Sequence, residues 1–163
     1  MTGMLMKKED FLSKNTPVLA KNLLGKILVR KIGNKEMRAV IFETEAYGGF
    51  LDKASHAYKG KTERNEIMFQ EAGNWYVYFI YGKYFMLNLV TGPVRYPAAI
   101  LIRGVEILPE RKRVDGPGRL TKFLRIDKNL NGKAIEKKSG LWIESSGIKI
   151  KSKDIKSLPR VGI

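Results

Sequence analysis

Cysteine is absent from these 163 residues, and histidine occurs once, at His56. Disulfides and thiolate metal sites are thereby excluded, and a lone imidazole cannot complete a zinc triad. A metal site would have to rest on carboxylates, and neither a metal nor another cofactor is expected. Long hydrophobic runs are missing too: nowhere do about 18 apolar residues follow one another, and the opening MTGMLMKKEDF is too briefly apolar for a secretory signal. No membrane association is expected, and the chain reads as an intracellular protein of the cytoplasm or nucleoid. Acidic residues are scarce, 16 Asp and Glu against 31 Lys and Arg, a formal net charge of +15. Such an excess makes a polyanion the expected partner, because each phosphate neutralised releases counterions. Lysine-rich surfaces also arise from solubility needs or heat adaptation. There is no internal repeat, low-complexity segment or linker, so one domain over residues 1–163 is expected.

Chemistry-bearing residues concentrate in residues 40–56, VIFETEAYGGFLDKASH. Its first half has the pattern of a strand, whose side chains alternate, so Ala39, Ile41, Glu43 and Glu45 are expected on one face. The two carboxylates would then lie roughly 7 Å apart. Gly48 and Gly49 end the strand beside Tyr47 and let the chain turn. A carboxylate next to a ring, at a strand end before a loop, suits catalysis. A surface strand with two solvated acids is the plainer alternative.

The remaining chain supplies the frame. Residues 7–24 read as helix, with Thr16 as N-cap before Pro17 and Gly25 as the stop. Leu19, Ala20, Leu23 and Leu24 form its apolar face. Residues 27–32 and 37–46 read as a hairpin turning at 33–35, and residues 74–80 and 84–90 as a second, aromatic hairpin turning at Tyr81, Gly82 and Lys83. Tyr76 and Tyr78 share a face of its first arm. Tyr81, Lys83 and Tyr84 surround the tip glycine and cannot all be buried, and such rings and a cation suit insertion between bases. Residues 98–103 read as a strand in which Arg103 ends an apolar run and needs an anionic partner, carboxylate or phosphate. Arg111, Lys112 and Arg113 read as a loop cluster, and residues 116–124 as a turn into a basic helix carrying Arg119 and Lys122. Residues 127–138 read as loop, and residues 141–144 and 148–152 as short edge strands. The expected class is α+β: a curved, mostly antiparallel, roll- or barrel-like sheet with surrounding helices and a projecting β-hairpin.

Six stretches, LLGKILVR (23–30), IFETEAYGGFLDKASHAYKGKTERNEIMF (41–69), GNWYVYFIYGKYFMLNLVT (73–91), AILIRGVE (99–106), GPGRLTKFLRI (116–126) and RVGI (160–163), resemble the alkyladenine (3-methyladenine) DNA glycosylases in the family's order. The resemblance implies a monofunctional glycosylase of base excision repair, acting as a monomer on double-stranded DNA with alkylated or deaminated purines and leaving an abasic site. Glu45 resembles the general base that deprotonates the attacking water. Arg103 resembles the arginine that holds that water and a phosphate. Tyr47 is expected on one face of the flipped base, with His56 and Tyr78 on the other. Asn88 is expected to crowd the 2-amino group of guanine, and Tyr81 to fill the gap in the duplex, with Lys83, Tyr84, Arg119 and Lys122 on the DNA. Extruding a base costs a few kcal/mol, least for a damaged one. Tyrosine faces attract a cationic purine by roughly 0.5 to 2 kcal/mol.

Three departures from the family pattern stand out. Lys83 occupies a position that is usually apolar, the loop between Arg103 and Gly116 is shorter, and the sequence stops at Ile163 where the family generally continues. A backbone carbonyl near RVGI resembles one that helps position the water. Two other readings are a catalytically weak damaged-DNA-binding protein of the same fold, and a carbohydrate hydrolase using Glu43 and Glu45.

Overall fold

The computed structural model describes residues 3–162; Met1, Thr2 and Ile163, which closes the RVGI stretch, lie outside the described residues. The first expected hairpin is β1 (Ile27–Ile32) and β2 (Lys35–Gly48), turning at Gly33 and Asn34. The aromatic hairpin is β3 (Trp75–Ile80) and β4 (Tyr84–Thr91). It turns at Tyr81 and Gly82, whose φ angles of 53° and 60° give the primed turn that suits strand twist. Then come β5 (Ala98–Leu108), β6 (Lys112–Asp115) and β7 (Leu141–Glu144). All pair antiparallel in the order β3-β4-β5-β2-β1-β7, with β6 on β5, and the sheet curls into a half-barrel. The α+β expectation is borne out.

Two helices, α1 (Thr16–Leu23) and α2 (Pro117–Phe123), close the core. Leu23, Leu28, Ile41, Trp75, Leu87, Ile100 and Leu120 are fully buried there, each worth about 1.5–3 kcal/mol on leaving water for the aliphatic side chains. Among the described residues, no helix is long and apolar enough to cross a membrane.

Several local expectations are corrected. The helix expected at 7–24 is a 3-10 turn, Lys8–Phe11, followed by α1. Its cap is Asn15, whose side chain accepts from the Val18 N–H at 3.3 Å, while Thr16 is buried as the first helical residue. Leu24 lies past the helix end and is only half-buried. Lys112 and Arg113 lie in β6 rather than in a loop, because the chain after Arg103 extends β5 and pairs back on it. Residues 148–152 form no strand.

The most consequential correction concerns which residues share a face. The simple alternation along β2 is broken: Ile41 pairs with Val105, Glu43 with Gly104 and Thr44 with Ile102, so the register shifts twice around Phe42 and Arg103. Before this irregularity the odd residues Ala39 and Ile41 face the main core; after it the even ones do, Ala46 packing on the core and Thr44 Oγ1 donating to the Ala20 carbonyl at 2.9 Å. Glu43 and Glu45 therefore share a face with each other, as expected, but not with Ala39 and Ile41. A β-bulge turns them out of the core.

Candidate active site

Two cavities border the end of β2. The smaller, about 100 Å³, is lined by Tyr47, Ala54, His56, Met68, Tyr76, Tyr78, Asn88 and Ala99. The larger, about 330 Å³, is bounded by Glu43, Glu45 and Arg103, by α1, and by the segment from Ile155 to Val161. The side chains of Glu45 and Tyr47 link the two, since the Tyr47 hydroxyl donates to Glu45 Oε1.

Glu45 is only 6% exposed. Its second oxygen, Oε2, accepts from the Val161 N–H at 3.3 Å and lies 3.6 Å from Arg103 Nε. A buried carboxylate needs such donors to keep its charge. Arg103 also reaches Glu43 Oε1 at 3.1 Å, so the anionic partner its position called for is a pair of carboxylates. Burial, followed by the bond to Glu45, raises the Tyr47 pKa, which keeps its hydroxyl a proton donor.

The small cavity is an aromatic slot. Tyr76 and Tyr78 project from one face of β3, as strand alternation requires, with ring centroids 5.1 Å apart. The His56 ring comes from the loop before β3. Its centroid is 4.5 Å from that of Tyr78, and its Nδ1 is 3.2 Å from the Tyr76 hydroxyl. Asn65 holds this loop, its side-chain amide donating to the carbonyls of His56 and Gly60, each at 3.0 Å. Burial, and then the charge of Arg64, lowers the His56 pKa, so the imidazole is neutral at pH 7. Asn88 on β4 is buried and its amide donates to the Tyr76 carbonyl at 3.2 Å, which fixes its position in the cavity wall.

The hairpin tip stands apart from this cluster. Tyr81 is 90% exposed at the turn. Lys83 folds back over the Tyr84 ring, 5.3 Å from its centroid. Tyr84 in turn packs against Gly118 of α2, where a Cβ would lie 2.6 Å from the ring. Arg119 and Lys122, on the same helix, are exposed.

Residues that sequence reasoning missed cluster around Tyr47. Arg160 Nη1 donates to Asp52 Oδ2 at 2.6 Å and to the Ala46 carbonyl at 3.1 Å, and its guanidinium lies 5.0 Å from the Tyr47 centroid. Burial opposes the charge on Asp52, but Arg160 and the N–H groups of Gly48 and Ala54 outweigh it and hold the carboxyl below its usual range. At the RVGI stretch the Val161 N–H reaches Glu45, a contact the sequence did not suggest. Tyr76, Ala54, Met68 and Ala99 also line the slot. Of these only Tyr76 left a signal, its spacing of two from Tyr78. Among the described residues, no group of three or more His, Cys, Asp or Glu could hold a metal ion.

The family model described as methylpurine-DNA glycosylase matches residues 10–163. A Methanocella arvoryzae protein is 42% identical over 168 residues, covering 94% of this chain and 82% of its own length. One from Clostridium beijerinckii is 40% identical, covering 86% of this chain and 80% of its own. One from Bdellovibrio bacteriovorus is 38% identical, covering 95% and 85%. All three carry the name "Putative 3-methyladenine DNA glycosylase".

Proposed function

The chain belongs to the methylpurine-DNA glycosylase family, and from that membership we propose that it flips alkylated or deaminated purines out of duplex DNA and hydrolyses their N-glycosidic bond with an activated water. By its family, the protein is a DNA glycosylase, a hydrolase of N-glycosyl bonds. The observation that carries the proposed mechanism is the position of the Glu45 carboxylate, buried between an aromatic slot and a cavity lined by Arg103.

A base inside the stack hides its C1′–N9 bond, so it must leave the helix, at a cost of a few kcal/mol. The slot receives it between Tyr47 on one side and His56 with Tyr78 on the other. Tyr81, exposed at the hairpin turn, fills the gap it leaves. Glu45 then takes a proton from a water in the larger cavity, the water oxygen attacks C1′, and the bonding electrons leave with the purine. The same carboxylate lies close to the sugar as it becomes cationic, which stabilises the transition state. Arg103 keeps Glu45 and Glu43 in place and holds the water and a neighbouring phosphate. Asn88 fills the space that the 2-amino group of guanine would need. Lys83, Tyr84, Arg119 and Lys122 lie against the DNA backbone, and the protein acts as a monomer.

Incubation with duplexes containing hypoxanthine, ethenoadenine, 7-methylguanine or 3-methyladenine tests this reading. Abasic sites are expected, with a backbone that breaks only after alkali. Release of none of these bases would refute the activity, and strand breaks without alkali would refute the single-step, monofunctional mechanism.

A further inference from the structure

The two tyrosines assigned to the faces of the base are each already paired with a guanidinium. Arg160 lies over the Tyr47 ring at 5.0 Å and Arg64 over the Tyr78 ring at 5.4 Å. Both tyrosines line the small cavity and neither arginine does; Arg160 borders the larger cavity, and Arg64 a separate hollow beside Tyr78. Each ring therefore shows one face to the slot and keeps a cation outside it. Neither cation is loosely placed. Arg160 is bound to Asp52 and the Ala46 carbonyl, and Arg64 Nη2 donates to the Phe79 carbonyl at 3.1 Å. They differ in charge balance. Arg160 has the Asp52 carboxylate at 2.6 Å, whereas among the described residues Arg64 has no carboxylate within ion-pair distance.

We propose that Arg64, with Arg160 in support, makes this slot selective for damaged purines that are neutral over those that carry a formal positive charge. The inference rests on the glycosylase reading above and names the substrate class of that site. A ring polarised by a guanidinium on its outer face has less negative potential to offer a second cation on its inner face. A 7-methylguanine or 3-methyladenine, cationic while still bound to the sugar, thus meets a weakened attraction at both rings and, beyond Tyr78, a like charge that no carboxylate among the described residues balances. The lowered pKa of His56, caused by burial and then by Arg64, reports the same field at the third ring of the slot.

Bond cleavage works in the same direction. When C1′–N9 breaks, the electron pair passes to the purine and the water oxygen bonds to C1′, its proton going to Glu45. A cationic purine is neutralised by that pair. A neutral one, such as hypoxanthine, departs with a developing negative charge and afterwards takes a proton from solvent. A guanidinium just outside the slot stabilises that negative charge. Binding and departure therefore both favour the neutral lesion.

The test compares single-turnover release of hypoxanthine and of 7-methylguanine from one duplex sequence by wild type, Arg64→Gln and Arg64→Lys. Because Arg64 is exposed, the hypoxanthine-to-7-methylguanine rate ratio should fall about threefold to fivefold in Arg64→Gln. Arg64→Lys, which keeps the charge but not the fork, should hold the ratio within about twofold of wild type. Weaker DNA binding or partial unfolding lowers both rates alike and leaves the ratio unchanged. A ratio unchanged or raised in Arg64→Gln overturns the proposal, as does an equal fall in Arg64→Lys. If wild type releases neither base, it is the glycosylase reading that fails.

Discussion

Asn88 carries discrimination against normal bases in this account, and its environment explains how a small side chain can do so. It is 3% exposed, and its amide is held by the Tyr76 carbonyl, so it cannot swing aside when a base enters. Replacing it with serine opens the wall where the 2-amino group of guanine would lie. Asn88→Ser is expected to release guanine from undamaged duplex, which wild type is expected to leave in place, and to lose about 1 kcal/mol of stability with the lost hydrogen bond. Release of free guanine, followed by chromatography, checks the first effect; no guanine release from a folded variant would contradict the role. At this scale Glu45, Tyr47, His56 and Asn88 were legible because each belongs to a stretch with a recognisable pattern. Asp52 and Arg160 were not: they are 108 positions apart, and no local periodicity links a loop aspartate to an arginine near the end of the chain.

The two hairpins could be read from the sequence because their turns need glycines, Gly33 and Gly82, between alternating runs. The bulge that joins β2 to β5 could not, because nothing in FETEAY marks an extra residue. Its trace in the partner strand is Gly104, where a Cβ would lie 2.6 Å from the Phe42 ring. Arg113 covers that ring, 4.1 Å from its centroid, so Phe42 has little room to yield. Gly104→Ala is expected to cost about 1–3 kcal/mol, seen as a lower urea midpoint, and to slow base release because Glu45 and Arg103 both follow from this bulge. A midpoint equal to wild type would mean that the ring moves freely and the bulge is not held by this contact.

Across the whole molecule, the site draws on four neighbouring strands of one sheet. Tyr76 and Tyr78 come from β3, Asn88 from β4, Arg103 from β5, and Glu45 and Tyr47 from β2. A sheet holds such groups more firmly than loops do. His56 is the exception, and Asn65 ties its loop down. The net charge of +15 favours a polyanionic partner but carries no chemistry. Composition gave the partner class, pattern gave the strands, and the tertiary pairs that finish the site, Val161 on Glu45 and Arg160 on Asp52, required coordinates. The central claim is that Glu45 is the base. It is tested most directly by single-turnover release of hypoxanthine from a labelled duplex, comparing wild type with Glu45→Gln at equal DNA occupancy. Wild type should convert the substrate to abasic sites, and the variant should bind the duplex yet be slower by at least about a hundredfold. Release by Glu45→Gln at a rate near that of wild type would contradict the account and move the base elsewhere, to Glu43 first.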